Sequence, residues 1–223
     1  MEVEQIKAQV IIVKIKNRIQ LKKGNIEYNS TYTVFGSGDI YVQNSFSTED
    51  ELPPLARVGV KIKMPAEFTN FTWYGRGPFE SYEDRKESAK IALYSGKVAD
   101  QYFPYVMPQE NGNKTDVRWM LLSSDNGVGL LAAGAPLLNV NVQDFSSGAL
   151  NRSKTSHQLD RGENIFLHLD FKQMGLGGDD SWSPRVHPEY LLRAKHYTYA
   201  FRLRPVSNSS DVNDILKLRL PQF

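Results

Sequence analysis

The sequence contains no cysteine, which excludes disulfides, thiolate metal sites and a cysteine nucleophile. It also lacks an apolar run that could span a bilayer. The longest such run, residues 128–138, falls well short of the roughly 18–20 residues that a span needs, and it contains glycine and proline. The charges almost cancel, with 27 Lys and Arg against 25 Asp and Glu. A broad cationic surface is therefore missing, and we expect neither a nucleic-acid partner nor a membrane partner.

Targeting and metal-binding signals are also missing. The amino-terminal residues have neither the basic region nor the apolar core of a signal peptide, so nothing in this sequence directs export. The compartment stays open between cytoplasm and periplasm. The four histidines, His157, His168, His187 and His196, lack the short spacings of metal-binding motifs. We therefore expect no zinc site and assign no cofactor to this chain.

What the sequence does contain is a series of β-rich segments. Residues 25–47 are rich in Val, Ile, Tyr, Thr and Phe, and the glycines within residues 36–39 predict a hairpin between two strands. Residues 57–64 alternate polar and apolar, as a strand with one buried face does. Asn126 and Gly127 predict a second hairpin, between strands at residues 117–122 and 128–132. The other candidate strands are residues 9–16, 137–145, 165–172 and 190–204. The sequence thus predicts an all-β fold of two packed sheets.

The domain organisation follows from the absence of internal boundaries. No repeat and no Gly/Ser linker divides the body of the chain, so residues 1–204 are predicted to form one domain. Residues 205–214 are small and polar, which predicts that residues 205–223 are a tail or linker. The charge spacing within residues 80–93 predicts either a short helix or a structured loop.

Three stretches combine aromatic, glycine, proline and charged residues as ligand-facing loops do. They are residues 71–85, 102–112 and 174–188. Such a mixture suits a sugar, because a pyranose stacks its C–H face on aromatic rings and its hydroxyls bond to carboxylates and amides. A purely structural role is the alternative, in which Trp182 fills the end of the core and Asp179 and Asp180 bind turn amides. A dinucleotide site is not expected, since no helix follows the glycines.

Catalytic carboxylates are harder to find in the sequence. Glycoside hydrolysis uses two carboxylates set about 5–9 Å apart across the scissile bond. The adjacent pairs Asp179-Asp180 and Glu83-Asp84 do not suit this role, because neighbours in an extended chain point to opposite sides. Sugar epimerisation would need a histidine acid and a carboxylate base, for which His157, His168 and His187 are candidates.

The three stretches together resemble a known family. The matching segments are TWYGRGPFESYEDR (72–85), YVMPQENGNKTDVRW (105–119) and MGLGGDDSWSP (174–184). In their order, spacing and residue identities they resemble the C-terminal small-chain domain of β-galactosidases of glycoside hydrolase family 2. The resemblance runs from about residue 24 to about residue 203 and implies an all-β super-sandwich of the galactose-mutarotase-like type. One departure is Ser81, where the family commonly has asparagine.

The resemblance also implies a function. In that family the catalytic glutamates belong to a preceding (β/α)₈ barrel, and this sequence contains no alternation of strands and helices that would build one. Trp182 is expected to reach into the active site as an apolar platform for a galactoside. The implied substrate-binding residues are Trp182, Asp179, Asp180, Ser183, Glu110 and Asn111.

The expected function is therefore that of a C-terminal β-galactosidase domain that is inactive alone. Its expected partners are a β-galactoside or other carbohydrate and the remaining domains, including the barrel. A magnesium or sodium ion, and assembly into a homo-oligomer, would belong to the complete enzyme. The alternative is a free-standing carbohydrate-binding module or an aldose 1-epimerase-like protein.

Overall fold

The computed structural model describes residues 1–49, 51–179, 185–207 and 211–219, and antiparallel strands dominate these residues. The strands are β1 (Glu2–Lys7), β2 (Val10–Gln20), β3 (Asn25–Phe35), β4 (Ile40–Ser47), β5 (Arg57–Pro65), β6 (Asn70–Gly77), β7 (Lys90–Lys97), β8 (Lys114–Ser123), β9 (Gly129–Gln143), β10 (Asn164–Gln173) and β11 (Tyr197–Val206). The helices are α1 (Ser147–Arg152) and α2 (Val212–Lys217), with 3₁₀ turns at Val98–Gln101, Ser156–Gln158 and Pro188–Tyr190. The predicted all-β fold is confirmed. Neither described helix has the length and apolarity that a membrane span requires.

Strand β9 is the branch point of the sheet. The main strand order is β1-β2-β3-β4-β11-β9-β8-β6-β7, and β10 joins β9 to β5. Residues 129–135 of β9 pair with β11, whereas residues 139–143 pair with β10. Pro136 lies between these two regions and has no N–H to donate to a ladder, which suits the position where the pairing changes. Strand β9 therefore belongs to both halves of the fold: the half that contains β11 and the half that contains β10 and β5.

The core lies between these two halves. A single cluster of buried side chains receives residues from β3 to β6 and from β8 to β11. In β10, Ile165, Leu167 and Leu169 are all nearly inaccessible, with the two-residue period of a strand that turns one face to the core. Because strands from both halves bury side chains in one cluster, the sheet packs over the core as a sandwich.

Most of the predicted strands are observed. The hairpin at residues 36–39 joins β3 to β4, and the Asn126 and Gly127 hairpin joins β8 to β9. The predicted strands at 128–132 and 137–145 are parts of the single strand β9. The helix alternative for residues 80–93 is wrong. Residues 80–89 form turns, and the following residues enter β7 because Ile91 and Leu93 continue an extended strand paired with β6.

Residues beyond 204 continue the fold before the chain leaves the sheet. Strand β11 extends to Val206, and Ile215 of α2 is buried against Leu131 and Val206. The Arg202 guanidinium donates to the carbonyl oxygens of Ile215 and Leu218 at 2.8 and 3.1 Å. The domain division at residue 204 stays a prediction.

Asp39 anchors strand β11 to the β3–β4 hairpin through a buried ion-pair cluster. Its two carboxylate oxygens lie 2.6 Å from guanidinium nitrogens of Arg202 and Arg204, and the Ser37 hydroxyl donates to it. Burial alone would raise the pKa of Asp39. The hydrogen bonds from Arg202 and Ser37, together with the two positive charges, outweigh burial and lower it.

We expect Asp39→Asn to lower the free energy of unfolding at neutral pH by roughly 3–5 kcal/mol, because two arginines lose their buried anion. The wild-type contribution is complete above the unfolded-state pKa of about 3.9 and is lost as pH falls through the lower folded-state value. Urea unfolding at pH 7 and pH 3 measures both effects. Asp125→Asn, at an exposed ion pair, is the control and should shift the midpoint far less. A wild-type advantage of equal size at both pH values would contradict the ion-pair explanation.

Candidate functional site

The three motif stretches meet at the turn formed by residues 80–84. Glu80 joins the first stretch to the second: its Oε1 accepts hydrogen bonds from the Tyr105 hydroxyl and from Arg85, and its Oε2 accepts one from the Gly112 amide at 2.7 Å. Gly112 has a φ of 79°, a conformation that favours glycine. The carboxylate of Glu80 thus fixes residues 105–112 against the turn.

A fully buried polar network lies beside Glu80. The backbone N–H of Ser81 donates to the Asn113 carbonyl at 2.8 Å, and the Asn113 side chain donates back to the Ser81 carbonyl at 2.9 Å. The Ser81 hydroxyl pairs with the Thr115 hydroxyl at 2.9 Å and accepts from the Thr115 amide at 3.0 Å. Ser81 therefore uses its short side chain to bind the start of β8.

The same turn also holds the third stretch. The Asp84 Oδ2 atom accepts a hydrogen bond from the Gly177 amide at 2.7 Å, and the Gly175 amide donates to the Tyr190 carbonyl at 3.0 Å. A Cβ atom at Gly175 would lie 2.6 Å from Asp84 Oδ2, so the chain can approach the turn only with glycine there. Asp84 is therefore engaged with a turn amide.

Asp179 and His187 contact each other on either side of residues 180–184. The His187 Nε2 atom is hydrogen-bonded to Asp179 Oδ2, and this bond and the negative charge of Asp179 raise the pKa of His187. Both side chains are largely exposed. Asp180, Trp182 and Ser183 lie outside the described residues. The substrate-binding roles expected of these three residues and of Asp179 stay predictions.

Glu110 and Asn111 belong to a second polar cluster, in the loop that precedes β8. The Glu110 Oε2 atom lies 2.7 Å from Arg57 Nη2. Asn111 is almost completely buried, and its Oδ1 atom accepts from the Phe103 amide at 3.1 Å and from Gln143 Nε2 at 3.2 Å. Asn111 therefore ties the loop to β9, while the Glu110 carboxylate is about one third exposed, with 32% accessibility. Their expected substrate contacts stay predictions.

Arg57 connects Glu110 to a histidine. The Arg57 Nη1 atom lies 2.9 Å from His168 Nδ1. A guanidinium only donates, so Nδ1 is the acceptor and the ring carries its proton on Nε2. Burial, followed by the charges of Arg57 and Lys61, lowers the pKa of His168 to about 3. His168 is therefore a neutral imidazole at physiological pH.

Asp170 completes the cluster but is sealed from solvent. Its exposed fraction is 1%, and its Oδ2 atom lies 3.3 Å from Arg57 Nη1. Burial raises the pKa of Asp170 to about 7, with a smaller raising effect from Glu110 and an opposing one from Arg57. A raised pKa suits a general acid, but a carboxyl group without solvent access cannot reach a glycosidic oxygen.

Sequence reasoning did not assign site roles to Arg57, Glu80 and Asp84. Glu80 and Asp84 lie within the FESYEDR motif, so their position in that motif was an available signal. The contacts of Arg57 had no such signal, because it meets His168 and Asp170 only through the pairing of β5 with β10. Among the described residues, no group of three or more His, Asp or Glu side chains is arranged to hold a metal ion.

We expect Asp170→Asn to remove a pH dependence of stability between about pH 4 and pH 7. The folded-state pKa of about 7 exceeds the unfolded-state value of about 3.9, so the wild-type protein loses stability as pH rises through this range. Asparagine cannot ionise, and the variant should therefore gain on the wild type as pH rises. Urea unfolding at pH 4.5, 6 and 8 measures the difference. Parallel stability curves would show that Asp170 does not titrate in this range.

Solved structures similar to this chain include sugar epimerases. The galactose 1-epimerase of Lactobacillus acidophilus NCFM aligns with a TM-score of 0.49 and 9% identity, over 92% of this chain and 65% of that chain. A galactose mutarotase-like protein of Clostridium acetobutylicum aligns with a TM-score of 0.44 and 8% identity, over 92% of this chain and 66% of that chain.

Proteins with a similar sequence identify the family of this chain more clearly than the solved structures do. The family model described as beta galactosidase small chain matches residues 1–203. A β-galactosidase of Priestia megaterium is 38% identical over 202 residues, which are 90% of this chain and 20% of that protein. A β-galactosidase of Vibrio cholerae is 36% identical over 178 residues, which are 80% of this chain and 17% of that protein. The chain thus spans a fifth or less of the length of these relatives, and it belongs to the β-galactosidase small-chain family.

Proposed function

We propose that this chain is the C-terminal domain of a β-galactosidase, which hydrolyses terminal β-galactosides. In this proposal the chain lends a substrate-facing loop to an active site whose catalytic carboxylates lie in another domain. The observation that carries the proposal is the match of the small-chain family over residues 1–203, in a chain that spans a fifth or less of its β-galactosidase relatives.

The carboxylates near the three motifs support a role without proton transfer. Glu80 accepts three hydrogen bonds, Glu110 is ion-paired with Arg57, and Asp170 is buried. A glycosidase needs one carboxyl group that can protonate the leaving oxygen and a second that can attack or activate water. Neither role suits these three carboxyl groups, because two of them make structural contacts and the third is buried.

The described residues on both sides of positions 180–184 are held in place. Asp84 binds the Gly177 amide before them, and Asp179 contacts His187 across them. Fixed flanking residues reduce the conformational entropy that is lost when a ligand binds between them. We therefore assign Trp182 the role of an apolar platform that binds and orients the galactoside, with Asp180 and Ser183 shaping its surroundings.

Epimerase activity has weaker support. That reaction needs a histidine that can give up a proton and a carboxylate that can accept one in a shared cleft. His168 lies beside Arg57 and is neutral, so it is a poor acid near pH 7. His187 can carry a proton, but it is already bound to Asp179 at the exposed base of the loop.

Trp182→Ala in the complete β-galactosidase is expected to lower kcat/KM by about tenfold, because one aromatic contact with the sugar is lost. The loss should appear mainly as a higher KM, since the contact serves binding and orientation. Steady-state kinetics with a nitrophenyl β-galactoside measure it. Trp182→Phe is the matched variant and should retain most of the platform. Unchanged kcat and KM in the alanine variant would refute the proposed role.

The isolated 223-residue chain is expected to be catalytically silent. It should neither release nitrophenol from a nitrophenyl β-galactoside nor accelerate the mutarotation of α-galactose above the buffer rate. Spectrophotometry and polarimetry measure these two reactions. Catalysed mutarotation would favour the epimerase alternative, and nitrophenol release would place the catalytic carboxylates in this chain.

A further inference from the structure

A cavity of about 540 Å³ lies beside the turn of residues 80–84. Its walls come from Glu83 and Lys86, from the β8 residue Asp116, from residues 136–139 and 171–173, and from residues 189–192 with Tyr197. The volume falls within the roughly 300–1,000 Å³ typical of small-molecule sites. Of the residues expected to bind substrate in the galactosidase active site, the described ones, Glu110, Asn111 and Asp179, do not line this cavity.

We propose that this cavity is a second carbohydrate-binding site, in addition to the galactosidase site expected at Trp182, and that its ligand is a neutral mono- or disaccharide. The proposal goes beyond the function assigned above, because it requires neither the parent active site nor the Trp182 platform. It rests on the aromatic wall of the cavity, the balance of its charges and the strained backbone of Asp116 in its wall.

The aromatic wall supplies apolar surface for the C–H face of a sugar ring. Phe171, Tyr190 and Tyr197 line the cavity. Phe171 is held in place by Tyr199, with ring centroids 5.5 Å apart and nearly parallel planes, and by the edge of Tyr197 at 6.1 Å. A ring fixed in this way loses little freedom when a ligand stacks on it.

The charges around the cavity favour a neutral ligand. Glu83 is paired with Lys86 at 2.9 Å, and Asp116 is paired with Arg76 at 2.6 Å. The remaining ionic residues of the lining, Lys172 and Glu189, are exposed and opposite in sign. A phosphate or a free cation would therefore meet no excess of opposite charge, whereas hydroxyl groups can bind to side chains of either sign.

The Asp116 backbone adds evidence that this wall is built for more than packing. Asp116 has a φ of 54°, and the β8–β9 register is interrupted between Lys114 and Val117. A non-glycine residue in this region of φ is strained, and such strain concentrates at binding and catalytic sites. The bulge places the Asp116 carboxylate beside Lys86 in the cavity wall.

The test is a titration of the ¹⁵N-labelled 223-residue chain with lactose and, separately, with methyl β-galactoside, followed by NMR. We expect saturable shifts of the amides of residues 137–139, 171–173 and 189–192, with a Kd in the millimolar range. Inorganic phosphate should give no saturable shift at these amides. Non-saturable shifts, shifts confined to residues 175–187, or saturable binding of phosphate at these amides would each overturn the proposal.

One variant locates the sugar within the cavity. Tyr190→Ala removes one aromatic wall and should raise the Kd for lactose at least about tenfold. The variant should fold, since Tyr190 lies at the surface. Phe79→Ala is the matched control, because Phe79 is half exposed and does not line the cavity, and its Kd should equal that of the wild type. A wild-type Kd in the Tyr190→Ala variant would overturn the proposal.

Discussion

The structure of the candidate site depends on two carboxylates that bind backbone amides. Glu80 holds the Gly112 amide and Asp84 holds the Gly177 amide, each at 2.7 Å. Segments rich in glycine and proline make few ladder hydrogen bonds, so their amides need other partners. Hydrogen bonds to an ionised carboxylate are stronger than those between neutral groups. One short turn can therefore hold two otherwise weakly paired segments beside each other.

This arrangement leaves three carboxylates near the motifs poorly suited to proton transfer. The carboxylates near the motifs are consumed by structural contacts: Glu80 by the loop before β8, Asp84 by the glycine-rich loop, and Glu110 by Arg57. The carboxyl group of Asp170, whose pKa is raised, is buried where no substrate can reach it. Among the described residues, a cavity with an aromatic wall lies beside the same turn.

Local patterns predicted the strands well and long-range contacts poorly. Alternation and turn residues identified both hairpins and the strand at residues 57–64, because side-chain period and turn geometry depend on neighbours in the chain. The helix considered at residues 80–93 was suggested by charge spacing and by the flanking Pro78 and Gly96. It did not form, since Ile91 and Leu93 continue a strand that pairs with β6. Pairing energy from the sheet outweighed a weak helical pattern.

The sequence by itself determined the all-β class, the positions of the hairpins and membership of the small-chain family. These three follow from the period of the side chains, from the turn residues and from the residues of the three motifs. Only the tertiary structure decided which carboxylates are engaged. Gly177 lies 93 residues from Asp84, and His168 lies 111 residues from Arg57. Contacts over such separations depend on sheet register and on the branching of β9. These are set by the burial of the shared core as a whole, and no local pattern reveals them.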